Sequence, residues 1–253
     1  MSDRPSILIT NDDGIHAKGL RELMEVMRLF GDITVIAPEV AMSGMSGAIT
    51  VDQPLRPFKL SEEPGMTVYK CNGTPVDCVK LGFNHLLEKH PDFVVSGINH
   101  GSNSSISVIY SGTMGAAMEG CLHDIPSLGI SLLDYHPDAD FGKAKIFTAR
   151  IFQALLENKL PSGTCLNINI PTGIPKGIKF CRQAKGKWAE EFERRTDPHQ
   201  RPYFWLTGSF QNFEEDAHDT DMYALDRNFV SIVPVKVDMT CYDTLEELKS
   251  WKF

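Results

Sequence analysis

Two adjacent carboxylates, Asp12 and Asp13, follow the apolar run Ile7-Leu-Ile-Thr10 and precede Gly14. Neighbouring carboxylates repel, and a divalent cation relieves that repulsion. Oxygen donors suit Mg2+ or Mn2+ better than zinc. Read alone, the run Asn11-Asp-Asp-Gly14 also fits a polar turn and helix cap. Three further runs could serve the same centre. Ser43-Gly44, after Ala37-Pro38, can bring a hydroxyl and backbone N–H groups near an anion. Asn99, at the end of Val95-Ser-Gly-Ile-Asn99, offers an amide oxygen that completes a ligand set without adding charge, or an Asx turn. Ser111-Gly112-Thr113 stands before a predicted helix, where N–H groups and the positive dipole end favour a phosphate, or where Ser111 is an ordinary cap. Asn103 shares its loop with Asn99. Each run alone is a weak signal. Four of them at strand ends point to metal-assisted chemistry on a phosphate.

The elements that must position these residues alternate along the chain. Short apolar strands are predicted at Ser6 to Thr10, Ile33 to Ala37, Thr67 to Cys71, Phe93 to Ser96, Ser127 to Leu132 and Cys165 to Ile170. Helical spacing occupies Ala17 to Phe30, Val76 to Leu87, Met114 to Leu122 and Phe141 to Leu156. This alternation predicts an α/β fold, a Rossmann-like, mostly parallel sheet flanked by helices. Ligands of such sheets sit beyond the carboxyl ends of the strands, where all four polar runs fall. After about Cys181 the pattern changes, and no periodic core is visible between Lys185 and Asp219. Residues 1–182 are expected as the catalytic core. Residues 183–253 are expected as an extension of β-hairpin arms with a strand at Val230 to Val233 and a terminal helix at Tyr242 to Trp251. The acidic run Glu214 to Asp226 lacks the order of an EF-hand loop and reads as a solvated face.

Composition narrows the partners. The 253 residues carry 33 acidic and 25 basic side chains, a formal charge of −8. That balance argues against a protein coating DNA or RNA, but leaves room for a small phosphate ligand. Ile7-Leu-Ile9 is too short for a signal peptide, and no run approaches a membrane helix, so a cytoplasmic protein without membrane association is expected. The six cysteines form no Cys-x-x-Cys pair and read as free thiols in a reducing compartment. None of the eight histidines shows a metal-ligand pattern; His100, next to Asn99, is the one nearest the proposed ligands.

The runs Ile7-Leu-Ile-Thr-Asn-Asp-Asp-Gly14, Ala37-Pro38 with Ser43-Gly44, Asn72-Gly-Thr-Pro-Val-Asp-Cys-Val79, Val95-Ser-Gly-Ile-Asn99 and Tyr110-Ser-Gly-Thr113 resemble, in order and spacing, the SurE family of nucleotidases. Arg182-Gln183, Trp188 and Val230-Ser-Ile-Val-Pro234 extend the resemblance through nearly the whole chain. The resemblance implies one divalent metal ion per subunit, Mg2+ or Mn2+ with Co2+ as an alternative, held by Asp12, Asp13, Ser43 and Asn99. It implies release of phosphate from nucleoside 5′- and 3′-monophosphates, and from short polyphosphate in some members. It further implies a homodimer or homotetramer with an exchanged C-terminal segment. Asp12 or Asp13 would orient the attacking water. Asn11, Gly44, Asn103, Ser111, Gly112 and Thr113 would contact the substrate and its phosphate. The chain departs from the family at Ser105 and Ser107, where Gly and Asp are usual.

Rival readings fit less well. A receiver domain needs an Asp where Asn99 stands, and a dinucleotide site needs Gly-x-Gly-x-x-Gly after the first strand. A non-catalytic oligomeric binding protein that keeps the metal site is separable from an enzyme only by assay.

Overall fold

The computed structural model describes residues 4–252. In chain order its elements are β1 (Ser6–Thr10), α1 (Lys18–Met27), β2 (Asp32–Pro38), β3 (Phe58–Glu63), β4 (Met66–Cys71), α2 (Pro75–Leu81), β5 (Phe93–His100), α3 (Gly112–Leu122), β6 (Ser127–Leu132), α4 (Gly142–Glu157) and β7 (Thr164–Ile170). There follow β8 (Ile178–Phe180), β9 (Gly186–Ala189), β10 (Phe192–Thr196), β11 (Pro202–Leu206), β12 (Ser209–Asn212), α5 (Asp221–Asp226), β13 (Val230–Lys236) and α6 (Tyr242–Leu248). A π turn, Gly82–Leu86, continues α2, and a 3-10 turn, Ser105–Ile109, precedes α3.

One sheet of nine strands, in the order β3-β4-β2-β1-β5-β6-β7-β13-β8, organises the chain. The six strands from β4 to β7 are mutually parallel, and both faces are covered. That is why β1 and β6 read as unbroken apolar or small runs and not as alternating ones. Helices α1 and α4 bury Leu20, Leu23, Met27, Phe147, Ile151 and Phe152 on one face. On the other, α2 and α3 bury Cys78, Val79, Ala116 and Met114. The expected α/β, mostly parallel architecture is therefore present. The strand order reverses between β1 and β5, the switch point at which open α/β sheets hold their ligands.

Small residues let α3 press against its surroundings. A Cβ on Gly115 would lie 2.2 Å from the Ser46 carbonyl oxygen. This close approach lays the loop after β2 across the start of α3.

Several features go beyond the sequence expectation. The strand β3 pairs antiparallel with β4 at the edge, and its uniformly exposed face left no periodicity to read. After 182, the chain does not stay apart from the sheet. β13 lies between β7 and β8, antiparallel to the former and parallel to the latter. Antiparallel pairs β9–β12 and β10–β11 form an arm, and α6 contains no buried residue. The acidic run is only in part a solvated face. Glu214 and Asp219 both bind Arg182, and Asp221 is fully buried, accepting backbone N–H bonds from Ala184, Met222 and Ser105. A buried carboxylate is retained when such donors satisfy it. Among the described residues no helix is long and apolar enough to cross a membrane. The six cysteines are unbridged, and all but Cys241 are buried.

Candidate active site

At the carboxyl end of β1, Asn11 braces the loop by donating from Nδ2 to the Gly14 carbonyl at 3.0 Å. Asp12 follows, 4 % exposed, with its Oδ1 accepting from the Thr113 hydroxyl at 2.5 Å. Thr113 lies in the first turn of α3, and its backbone N–H also favours the charged form of Asp12. Gly112 makes the approach feasible, because a Cβ there would lie 2.9 Å from the Asp12 Cβ. The positive end of α3 thus addresses a carboxylate of the protein itself. Asp13, half-buried, accepts the His100 backbone N–H at 3.0 Å, which ties β1 to the end of β5.

Burial pushes the Asp12 carboxyl up to about 6. The Thr113 hydroxyl pulls against that rise, and the Asp13 charge adds to it. Burial also raises Asp13, against the His100 N–H. Two crowded carboxylates therefore stand in a desolvated place that favours a compensating cation.

Asn99 donates from Nδ2 to the Gly101 carbonyl at 2.8 Å, which commits the nitrogen and turns its amide oxygen to other partners. A register irregularity between Ser96 and Asn99 in the β5–β6 pairing falls just before it, as bulges do where a side chain is re-aimed. Ser43 and Gly44 are exposed on the loop after β2, whose Met42 N–H bonds the Asp12 carbonyl at 2.7 Å. Asp12, Ser43, Gly44, Asn99, Asn103 and Ser111 line one cleft of about 360 Å³. No Lys or Arg lines it.

The structure brings together most of the residues singled out from sequence and gives some a different task. Thr113, expected at the phosphate, is fully buried and holds Asp12. Asn11, expected at the substrate, is fully buried within its own turn. Ser111 lines the cleft but also caps α3, accepting the Met114 N–H at 3.0 Å. Asn103 donates from Nδ2 to Ser131 at 2.8 Å, and Asn169 and Asn167 bond its backbone, so β6 and β7 fix its loop. Gly112 and Asp13 support the cleft wall without lining it.

Sequence reasoning passed over Tyr135 and Ser102 and gave Tyr110 no role beyond its place in the family run, yet all three line the cleft. Tyr135 follows the carboxyl end of β6, and that position was a usable signal. His100 lines the cleft with its ring edge-on to Phe141, centroids 5.0 Å apart.

The oxygens of Asp12, Asn99 and Ser43 line the cleft with Asp13 beside them, a set that fits a hard divalent cation where no Lys or Arg competes. Among the described residues, no three His, Cys, Asp or Glu side chains converge on a metal position. Such a centre would therefore depend on neutral oxygen donors to complete the pair of Asp.

The family model for Survival protein SurE matches residues 7–190. The chain belongs to the SurE family. A 5′-nucleotidase SurE from Phocaeicola vulgatus is 48 % identical over 250 residues, covering 98 % of this chain and 97 % of its own. Another, from Flavobacterium johnsoniae, is 49 % identical and covers 99 % and 98 %. The crystal structure of the SurE protein from Aquifex aeolicus superposes with a TM-score of 0.84 at 33 % identity, over 97 % of this chain and 98 % of that one. The SurE match spans all four strand-end runs, so the cleft belongs to the part of the chain that carries the family's signature.

Proposed function

We propose that the cleft hydrolyses nucleoside 5′-monophosphates to nucleoside and inorganic phosphate, with one divalent metal ion per subunit. The observation that carries this reading is the pair Asp12 and Asp13, which shares one sheet edge with Asn99 and Ser43. Relatives named 5′-nucleotidase, similar along nearly the full chain, give the substrate class. Asp12, Asp13, Ser43 and Asn99 would hold Mg2+ or Mn2+, with Co2+ as an alternative. When bound, such an ion offsets charge on the phosphoryl oxygens and eases ionisation of water.

The chain's own residues supply position and proton transfer. Thr113 and the start of α3 fix the Asp12 carboxylate at the cleft wall. Asp12 lines the cleft and Asp13 does not, although one oxygen of each is committed, Asp12 to the Thr113 hydroxyl and Asp13 to the His100 N–H. Asp12 is therefore the better placed group to orient a water and accept its proton as that water attacks phosphorus. The ester P–O bond breaks, and the departing sugar oxygen is protonated from solvent. Gly44 and Ser111, with Asn103 beside them, border the space for the phosphate.

The proposal extends to 3′-monophosphates and the ends of short polyphosphate, on the ground of the family resemblance alone. A cytoplasmic homodimer or homotetramer, with residues 183–253 contributing arms and an exchanged segment, completes the proposal. It is supported by the exposure of Phe192, Phe204, Trp205 and Leu206 on the β10–β11 arm, and by α6 lying unpacked.

The experiment is phosphate release from AMP, GMP and CMP with Mg2+ or Mn2+, and with EDTA. Metal-dependent release supports the enzyme. No release from any phosphate ester would favour a binding protein that keeps the metal site.

A further inference from the structure

The cleft continues into a second recess. Ser102, Ser107, Tyr135 and Trp188 line both spaces. The recess measures about 200 Å³, and its inner wall is formed by Leu133, Phe210, Met222 and Leu225. Serine hydroxyls lie along one side, and Asp226 supplies its only charged group. An apolar wall with a few polar groups on the rim is the composition of a site for a flat heteroaromatic ring.

The two aromatic residues at the junction are held differently. Tyr135 is 72 % exposed, which is unusual for so large an apolar face. One side of its ring rests on Gly101, where a Cβ would lie 2.1 Å from a ring carbon. Its hydroxyl accepts the Ser102 N–H at 3.4 Å. The ring is thus supported from behind with much of its surface open. Trp188 sits on β9, braced edge-on by Phe210 of β12 at 6.0 Å between centroids. Trp188 is half-buried, and braced aromatic faces open to a cleft are stacking platforms for nucleobases that tolerate any base.

Placement of the recess depends on the segment after 182. Asp221 fastens it: the carboxylate binds the N–H groups of Ala184 and Ser105, joining the start of α5 to the loop before α3. Ser105 takes φ of +51° and donates its hydroxyl to the Ala184 carbonyl at 2.8 Å. The β9–β12 pair and α5 are therefore fixed against the catalytic loop as one wall of the recess.

We infer that this recess binds the nucleobase of the substrate on Tyr135 and Trp188, while the phosphate lies at Asp12 and Asn99. The inference rests on the nucleotidase reading and adds the part of the molecule that selects a nucleotide over a sugar phosphate. Base stacking of this kind is worth roughly five- to a hundredfold in affinity.

The test compares GMP with ribose 5-phosphate, which carries the same phosphate on the same sugar without a base. The wild-type protein is expected to show a KM for GMP at least roughly fivefold below that for ribose 5-phosphate. Trp188→Ala is expected to collapse this ratio toward one mainly by raising the KM for GMP, with kcat little altered. Trp188→Phe, which keeps a stacking face, is expected to restore most of it. Equal KM values for both esters in the wild type would overturn the recess and leave the phosphatase standing. So would a Trp188→Ala variant that raises both KM values by the same factor. Hydrolysis of neither ester by the wild type would overturn the nucleotidase reading and the recess with it.

Discussion

The strand-end cluster around Asp12 and the arm from Gly186 to Asn212 are built on opposite principles. Around Asp12, parallel strands and one helix terminus converge, and the groups that brace its turn and its carboxylate, Asn11 and Thr113, are fully buried. In the arm, two antiparallel pairs extend from the sheet, and β10 and β11 are exposed along their whole length. The cluster gains its shape from burial within one chain. The arm presents Phe204 and Trp205 to solvent and has no core of its own. The two regions nevertheless meet at Trp188, which lines the cleft from the arm's base. Chemistry and reach are thus separated: the rigid sheet edge fixes the reacting groups, and the peripheral segment shapes what enters and what assembles.

The comparison can be broken most forcefully at Asp12. Asp12→Asn should lower phosphate release roughly a thousandfold or more while the thermal midpoint stays near that of the wild type. Near-wild-type activity would remove this carboxylate from the chemistry. Thr113→Val keeps the shape but removes the hydroxyl that holds Asp12. Activity and metal affinity should fall roughly ten- to a hundredfold, as supporting partners of metal ligands do. Titration of Mn2+ against activity measures both. In the arm, Phe204→Ser with Trp205→Ser should change the chain's stability by only about 0.5 kcal/mol. It should shift the mass in light scattering toward smaller species, and an unchanged mass would free the arm of any role in assembly.

The smallest effect concerns pH. The Arg182 guanidinium beside Glu214 holds that carboxyl down to about 2, below its ordinary value of 4.5. A depressed folded-state value adds stability above about pH 4.5 that is lost as pH falls toward about 2. Wild type and Glu214→Gln should therefore differ most in urea midpoint near about pH 6, the gap narrowing below about pH 4.5 and closing only as pH approaches about 2. A difference independent of pH would show that the charge of Glu214 contributes nothing. Solvent screens the pair through the exposed Arg182, so the effect is small.

The sheet edge was legible in the sequence because local pattern and tertiary role agree there. Ile7-Leu-Ile9 is apolar without a break and Thr10 is buried with it, and only a strand covered on both faces needs that. The polar residues that follow sit where such a strand must end. Asn99 and Ser43 could be placed on the same reasoning. The task of Thr113 could not, since its partner Asp12 lies 101 positions away. Asp221 was read among solvated acids for the same reason: its donors come from Ala184 and Ser105, which no spacing rule connects to it. β13 was recognisable as a strand, but its place between β7 and β8 depends on long-range pairing. Exposed β3 and the arm strands carry no buried face, so they left no periodicity to detect.

The most direct test of the central claim is phosphate release from GMP by the purified protein, stripped with EDTA and then resupplied with Mn2+ or Mg2+. Release should be lost on stripping and recovered on resupply, with Asp12→Asn inactive under both conditions. Full activity in the stripped protein, or recovery in the Asp12→Asn variant equal to that of the wild type, would contradict it.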